Sequence, residues 1–294
     1  MKTRDLTERL DAFLRVGGYP PDDFAEIHEF CREANIPLER YATPDFMRRH
    51  NGIMLHNAND VECVFTLVFP SDEVLGKVQR RAEGRPALIF THHPMDFETS
   101  GRGLIPVPEA WLQRLRDGGV SLYAAHAPLD CHDTVSTSRS LARAAGIRSE
   151  DVCAGYHGGH AGVIGAVNET PLDSFAEDLR GALGVQRIEL HRNTDTVRQV
   201  AVVAGGAAFP PMMEEAIDRG CDTYLTGDFR VRHGGPWAEE HRPGFDAFVE
   251  KAPINLIGAS HFATEAEVLR HEMLGWFNSL GLPAEFVSQS DAWR

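Results

Sequence analysis

The stretch Ala87-Leu-Ile-Phe-Thr-His-His-Pro-Met95 sets the reading of this chain. Four apolar residues and a threonine make a short run of the kind that fills a buried strand. Two imidazoles follow at once, and Pro94, which has no N–H to donate, forbids simple continuation of a ladder. The run therefore ends at His92 and His93. In open α/β sheets ligands bind in the crevice at the carboxyl ends of strands, so the stretch delivers two metal-capable side chains to such an edge.

Working outward, strands and helices alternate. A buried strand is expected over 61–69, a helix capped by Ser71 reaches about Ala82 with Gly84 after its end, and a further strand spans 120–125. Pro108 opens a helix ending near Gly118, and Ser136 caps one running to Ala145. Helical patterns at 5–14 and 21–34 precede them. The second half offers strands at 187–191, 198–204, 223–226 and 254–259, with helices around 171–183, 211–219 and 264–280. This alternation predicts an α/β fold of open, largely parallel sheets covered by helices. The glycine-rich Gly155-Tyr-His-Gly-Gly-His-Ala-Gly-Val-Ile-Gly165 divides the halves and reads as turns and a strand within one compact unit. The shared grammar of the halves hints at an internal duplication.

Composition narrows the function. The chain has 294 residues with 29 basic and 43 acidic side chains, a net charge of −14. Gripping bare nucleic-acid backbone needs massed Lys and Arg, so that role is not expected. No apolar run approaches a membrane span and the first 18 residues lack the apolar core of a signal peptide, which makes the cytoplasm the expected location. Five scattered cysteines with no CxxC pair argue against a disulfide framework or a thiolate zinc site.

The chemistry lies in where His, Asp and Glu fall. Beside His92 and His93, the strand over 120–125 is followed by His126 and then Asp130, the strand over 223–226 by Asp228, and the strand over 254–259 by His261 and Glu265. If a helix starts at Ser260, His261 and Glu265 share one face at i,i+4; if Thr264 and Glu267 form a capping box, His261 lies in the approach loop. Imidazoles mixed with carboxylates suit Zn, Fe, Mn, Co or Ni rather than Ca or Mg. Asp130 read alone is an N-terminal cap for the following helix, and Asp228 a turn residue. His157 and His160 read as a tight turn. Gly205 and Gly206 lack any nucleotide-binding pattern and offer only a weak phosphate-cradle reading. His126 and His233 are candidate acid–base groups, or residues that orient a ligand.

Thr91-His-His-Pro-Met, Tyr123-Ala-Ala-His-Ala-Pro-Leu-Asp130, Tyr224-Leu-Thr-Gly-Asp228 and Ser260-His-Phe-Ala-Thr-Glu265, in this order, resemble the Nif-three-like dinuclear-metal proteins, often called type two GTP cyclohydrolase I. The resemblance runs from about Val61 to the end of the chain. It implies a single Nif-three-like unit over 1–294: two interlocked α/β lobes, approximately 50–150 with 195–294, a connecting region over 151–194 and N-terminal helices over 1–49. It further implies a metal site at strand C-terminal ends between the lobes, and a homohexamer. By motif, His92, His93, Asp130, His261 and Glu265 would ligate two divalent first-row metal ions, with His126 and His233 near them without being primary ligands. The chain departs from the family in having Ser260 for the usual Gly, His50-Asn-Gly-Ile-Met54 for an Asp-Asn-x-Gly segment, and residues 131–139 for a Gly-rich, Asn-containing stretch. A longer inserted middle domain does not fit between Ala145 and Arg198.

The resulting expectation is a dinuclear-metal hydrolase that turns water on a phosphoester or nucleotide-like substrate, at a P–O or C–N bond, with His126 and His233 moving protons. The alternative is a non-catalytic metal-binding oligomeric scaffold that stores or delivers metal or docks a regulatory partner. A metal-free protein with structural histidines is the third reading.

Overall fold

The computed structural model describes residues 1–21, 24–99, 101 and 103–294. The chain runs α1 (Thr3–Leu14), α2 (Ile27–Glu33), α3 (Pro44–Arg49), β1 (Gly52–Leu55), β2 (Cys63–Leu67), α4 (Asp72–Ala82), β3 (Ala87–Thr91), β4 (Asp96–Glu98), β5 (Gly103–Ile105), α5 (Glu109–Asp117), β6 (Val120–Ala124), α6 (Ala127–Asp130) and α7 (Thr137–Ala144). It continues through β7 (Arg148–Tyr156), β8 (Gly159–Pro171), α8 (Leu172–Leu183), β9 (Glu189–His191), β10 (Thr196–Val203), α9 (Pro210–Asp218), β11 (Thr223–Thr226), α10 (Pro236–Val249) and β12 (Asn255–Gly258). Then α11 (His261–Glu267) passes through a π-helical turn (Val268–Met273) into α12 (Leu274–Ser279), and β13 (Ala284–Phe286) follows.

Residues cluster into two units. The first comprises Met1–Glu98, Leu104–Leu129 and Leu269–Ser290, the second Thr99–Gly103, Asp130–Val268 and Asp291–Arg294.

The first unit is built on a sheet ordered β1-β6-β3-β2-β13, parallel except for β1. Every residue of β2, β3 and β6 is buried, as expected of strands covered on both faces. Alternate residues (Phe65, Leu67, Ile89, Leu122) join a core with Val74, Leu75 and Val78 of α4 and Leu112 and Leu115 of α5. On the opposite face Phe90 packs edge-on against Phe277 of α12, and the Tyr123 hydroxyl donates to Asp11 of α1 at 2.7 Å. Helix α1 earns this place through Leu6, Leu10 and Leu14, spaced four apart and fully buried.

The second unit carries a mixed sheet ordered β7-β8-β10-β11-β12-β9, with β10, β11 and β12 parallel. Its core unites Ala201, Val203, Tyr224 and Leu256 with Met213 and Ala216 of α9. The glycine-rich segment forms the β7–β8 hairpin. Its turn residues His157 and Gly158 both have positive φ (42° and 82°), the two-residue turn whose twist matches the flanking strands. Glycine is required at 162 and 165, where a Cβ would meet Cys153 Sγ at 2.7 Å and the Arg148 carbonyl oxygen at 2.3 Å.

Several boundaries differ from expectation. The helix expected over 21–34 covers Ile27–Glu33, and part of that pattern, 22–23, lies outside the described residues. Of the two starts weighed for the C-terminal helix, the one at Ser260 is found: its side chain supplies the cap and His261 is the first helical residue, not a residue of an approach loop. Strands β1 and β13 and helix α10 were not expected; Pro236, Pro243 and Gly244 hide the last of these from a periodicity reading. The five cysteines are all free and all buried. Among the described residues no helix is long and apolar enough to cross a membrane.

Candidate functional site

In the first unit three imidazoles converge. Strands β3 and β6 pair in parallel with Thr91 opposite Ala124, so both chains emerge at the same sheet edge. The main-chain N–H groups of His92 and His93 donate to the carbonyls of Leu67 and Val68, each at 3.1 Å, extending the β2–β3 ladder past Thr91. His126 is fixed by its own N–H, which donates to Asn51 Oδ1 at 2.7 Å. One ring nitrogen each from His92, His93 and His126 lie within 4.8 Å of one another, a group that could hold a metal ion. Phe69 stacks on the His93 ring at 4.5 Å between centroids, and Phe24 meets His126 edge-on at 4.6 Å. These rings wall the imidazoles with apolar surface.

The His92 ring has a defined tautomer. Its Nδ1 lies 2.9 Å from the carbonyl oxygen of Ala125. A carbonyl only accepts, so Nδ1 carries the proton and Nε2 presents its lone pair. A donor bond of this kind on the remote nitrogen is what orients an imidazole as a metal ligand.

In the second unit the parallel strands β10, β11 and β12 end together, with Val203 opposite Thr226 and Thr226 opposite Gly258. The loops that follow bring Gly205, Asp228 and His261 to one place. His261 Nε2 lies 3.1 Å from Glu265 Oε1, one turn along α11, and Glu265 is buried. Gly205 has φ +82°, and a Cβ there would stand 2.3 Å from Glu265 Oε1; one on Gly206 would stand 3.3 Å from the His261 ring. These glycines thus serve the close approach of backbone to the His261–Glu265 pair. The Gly205 carbonyl accepts from Thr226 Oγ1 and Gly227 N, both at 3.0 Å, while its N–H donates to Thr264 Oγ1 at 3.0 Å. Burial pushes the Asp228 carboxyl up to about 6 and the charge of Glu265 adds to it, whereas His261 and Arg187 pull it back. Arg232 Nε donates to Asp228 Oδ1 at 3.2 Å.

The other expected residues have their own settings. Asp130 ends α6, and its Oδ1 accepts the Thr137 hydroxyl at 2.6 Å; the cap of α7 is Ser136, whose side chain accepts from Arg139 N, so Asp130 is not that cap. His233 directs Nδ1 at the Gly234 carbonyl (3.0 Å) and lies parallel to Trp237. A Cβ on Gly103 would meet the His233 ring at 2.9 Å. Sequence reasoning gives Thr137 and Arg232 no part in the site, weighs Thr264 only as a helix cap and quotes Asn51 only within His50–Met54. Of these only Thr264, three residues beyond His261 on one helix, has a local signal.

The sequence model of the Duf34/NIF3 family (NGG1p interacting factor 3) matches residues 33–275. A GTP cyclohydrolase 1 type 2 homolog of Pyrococcus horikoshii is 28% identical over 269 residues, 90% of this chain and 89% of the relative. One of Deinococcus radiodurans is 25% identical over 288 residues, 97% of this chain and 92% of the relative. Among solved structures, protein ybgI, of unknown function, superposes with a TM-score of 0.72 at 19% identity, covering 99% of this chain and 100% of that one. At that identity the likeness speaks to the fold alone.

Proposed function

This chain belongs to the Duf34/NIF3 family, and from that premise we propose that it is a dinuclear-metal-dependent hydrolase using water on a phosphoester or nucleotide-like substrate, at a P–O or C–N bond. The observation that carries the reading is the buried His92 ring, held by the Ala125 carbonyl with Nε2 as its lone-pair nitrogen, within the group formed with His93 and His126. The name borne by the relatives, GTP cyclohydrolase 1 type 2 homolog, supports the nucleotide-like class.

The proposed ligands are His92, His93, Asp130, His261 and Glu265. Imidazole and carboxylate donors fit divalent Zn, Fe, Mn, Co or Ni. When bound, two such ions supply Lewis acidity that brings the ionisation of water toward neutrality and polarises the reacting oxygen. The chain's own contribution is orientation. Ala125 sets the His92 tautomer, Thr137 directs one oxygen of Asp130, and Phe24 and Phe69 pack against the His126 and His93 rings. His126, the third imidazole of the group with His92 and His93, is assigned to proton transfer rather than to ligation, with His233 the second candidate. The same kinship supports self-assembly as a homohexamer.

The test is elemental analysis of protein purified without chelator or His-tag, together with hydrolysis of a panel of phosphoesters and nucleotides. About two first-row metals per chain, and turnover lost in folded His92→Ala and Glu265→Ala variants, is the expected result. Metal-free protein after reconstitution overturns it. Full loading without turnover across the panel favours the metal-handling scaffold.

A further inference from the structure

We infer that Ser260 is a positioning residue whose hydroxyl ties the segment Asp291–Arg294 to the first turn of α11 and thereby holds the geometry of His261 and Glu265. Ser260 is fully buried and has φ +75° and ψ 130°, a conformation that residues with a Cβ rarely adopt. Strain of this kind persists only where the surroundings over-determine it, and here they act on both backbone and side chain. The Ser260 N–H donates to the Gly227 carbonyl at 3.0 Å, and its carbonyl accepts from Thr264 N at 3.1 Å. The side-chain oxygen accepts from Ala263 N at 3.2 Å. The same hydroxyl donates its proton to the Ala292 carbonyl. A serine has one hydroxyl proton, so it is committed to the segment while the oxygen caps the helix.

That segment has its own anchors within the second unit. The Thr99 N–H donates to the Arg294 carbonyl and the Thr99 hydroxyl to the Trp293 carbonyl, each at 3.1 Å. The Arg187 guanidinium lies 4.4 Å over the Trp293 ring. Thr99 and Trp293 are thus joined to the turn bearing His261 by way of the Ser260 hydroxyl. Outer partners that orient ligands in this way typically govern metal affinity.

The metal part of this inference rests on His261 and Glu265 being ligands, so the experiment has two arms. Ser260→Ala, Ser260→Gly and Thr99→Val are compared with the parent chain, each verified as folded by circular dichroism. In the first arm, without metal, amide exchange at Ala263 quickens severalfold in all three variants, Thr99→Val included although it alters no residue of α11. Parental exchange in Thr99→Val overturns the inference. In the second arm, cobalt(II) titration followed by visible absorption shows one ion bound about tenfold more weakly in each variant. Parental cobalt affinity in Ser260→Gly, which relieves the φ strain but lacks the hydroxyl, also overturns it. A parent chain that takes up no cobalt, with exchange still coupled to Thr99, sinks the ligand reading while upholding the tie through Ser260.

Discussion

Thr137 donates its hydroxyl proton to Asp130 Oδ1 across 2.6 Å, and both residues are buried. The bond directs one oxygen of the carboxylate, and it joins the start of α7 to the residue ending α6. Thr137→Val keeps the shape and deletes the donor. It should lower stability by about 1–3 kcal/mol, measured by urea unfolding, and weaken metal uptake about tenfold. Unchanged metal affinity in this variant would show that the Thr137 bond does not govern metal uptake.

Gly205 faces Glu265 with no room for a side chain. Gly205→Ala combines a disallowed φ with a Cβ against a carboxylate oxygen, so it should cost about 1–3 kcal/mol and reduce metal content. Denaturant midpoints and elemental analysis on one preparation test both effects. Parental values in both would show that the loop yields without consequence.

Metal added to chelator-treated protein should raise the melting temperature. A ligand at a hundredfold excess over its Kd stabilises the native state by about 2.7 kcal/mol. The rise should vanish in His92→Ala. An equal rise in that variant would place the bound ions elsewhere.

Glu73 offers a pH signature at a residue outside the proposed ligand set. Burial raises its carboxyl, but hydrogen bonds from Lys77 and Ser290 outweigh this and hold it down at about 2. The folded state therefore favours the charged form. The stabilisation is full above the ordinary value of 4.5 and is lost as pH falls toward 2. The side chain is 39% exposed, so screening limits the gain to about 1 kcal/mol. Urea unfolding of Glu73→Gln should show a deficit at pH 7 that shrinks by pH 2.5. A deficit constant with pH would assign the effect to packing.

Sedimentation velocity should give a particle of six chains, the assembly proposed from kinship. A monomer at working concentration counts against it.

Much of the frame was legible in the sequence. β3 and β11 run over the very residues expected, because buried parallel strands are apolar runs with abrupt ends. The family was legible from four ordered motifs, none of them specific alone. What stayed hidden depends on neighbours distant in the chain. β13 adds to the sheet edge beside β2, and β1 pairs antiparallel with β6; neither pairing leaves a local period. The nearness of His126 to His92 and His93 follows from Thr91 lying opposite Ala124, a register that no short stretch encodes. The partners of Asp130 and Ser260 were invisible for the same reason: Thr137 and Ala292 are ordinary residues until the fold gives them a neighbour.

The buried cysteines have a practical corollary. Desolvation pushes the thiols of Cys31 and Cys221 up to about 11 and that of Cys153 up to about 12. Nucleophilic attack requires thiolate, so maleimides and iodoacetamide should leave the native chain almost untouched at neutral pH. A single cysteine introduced on the surface, as in Asp178→Cys, would then be the preferred site for attaching a fluorophore or spin label. Such a probe could report on the protein without first stripping away its native sulfur.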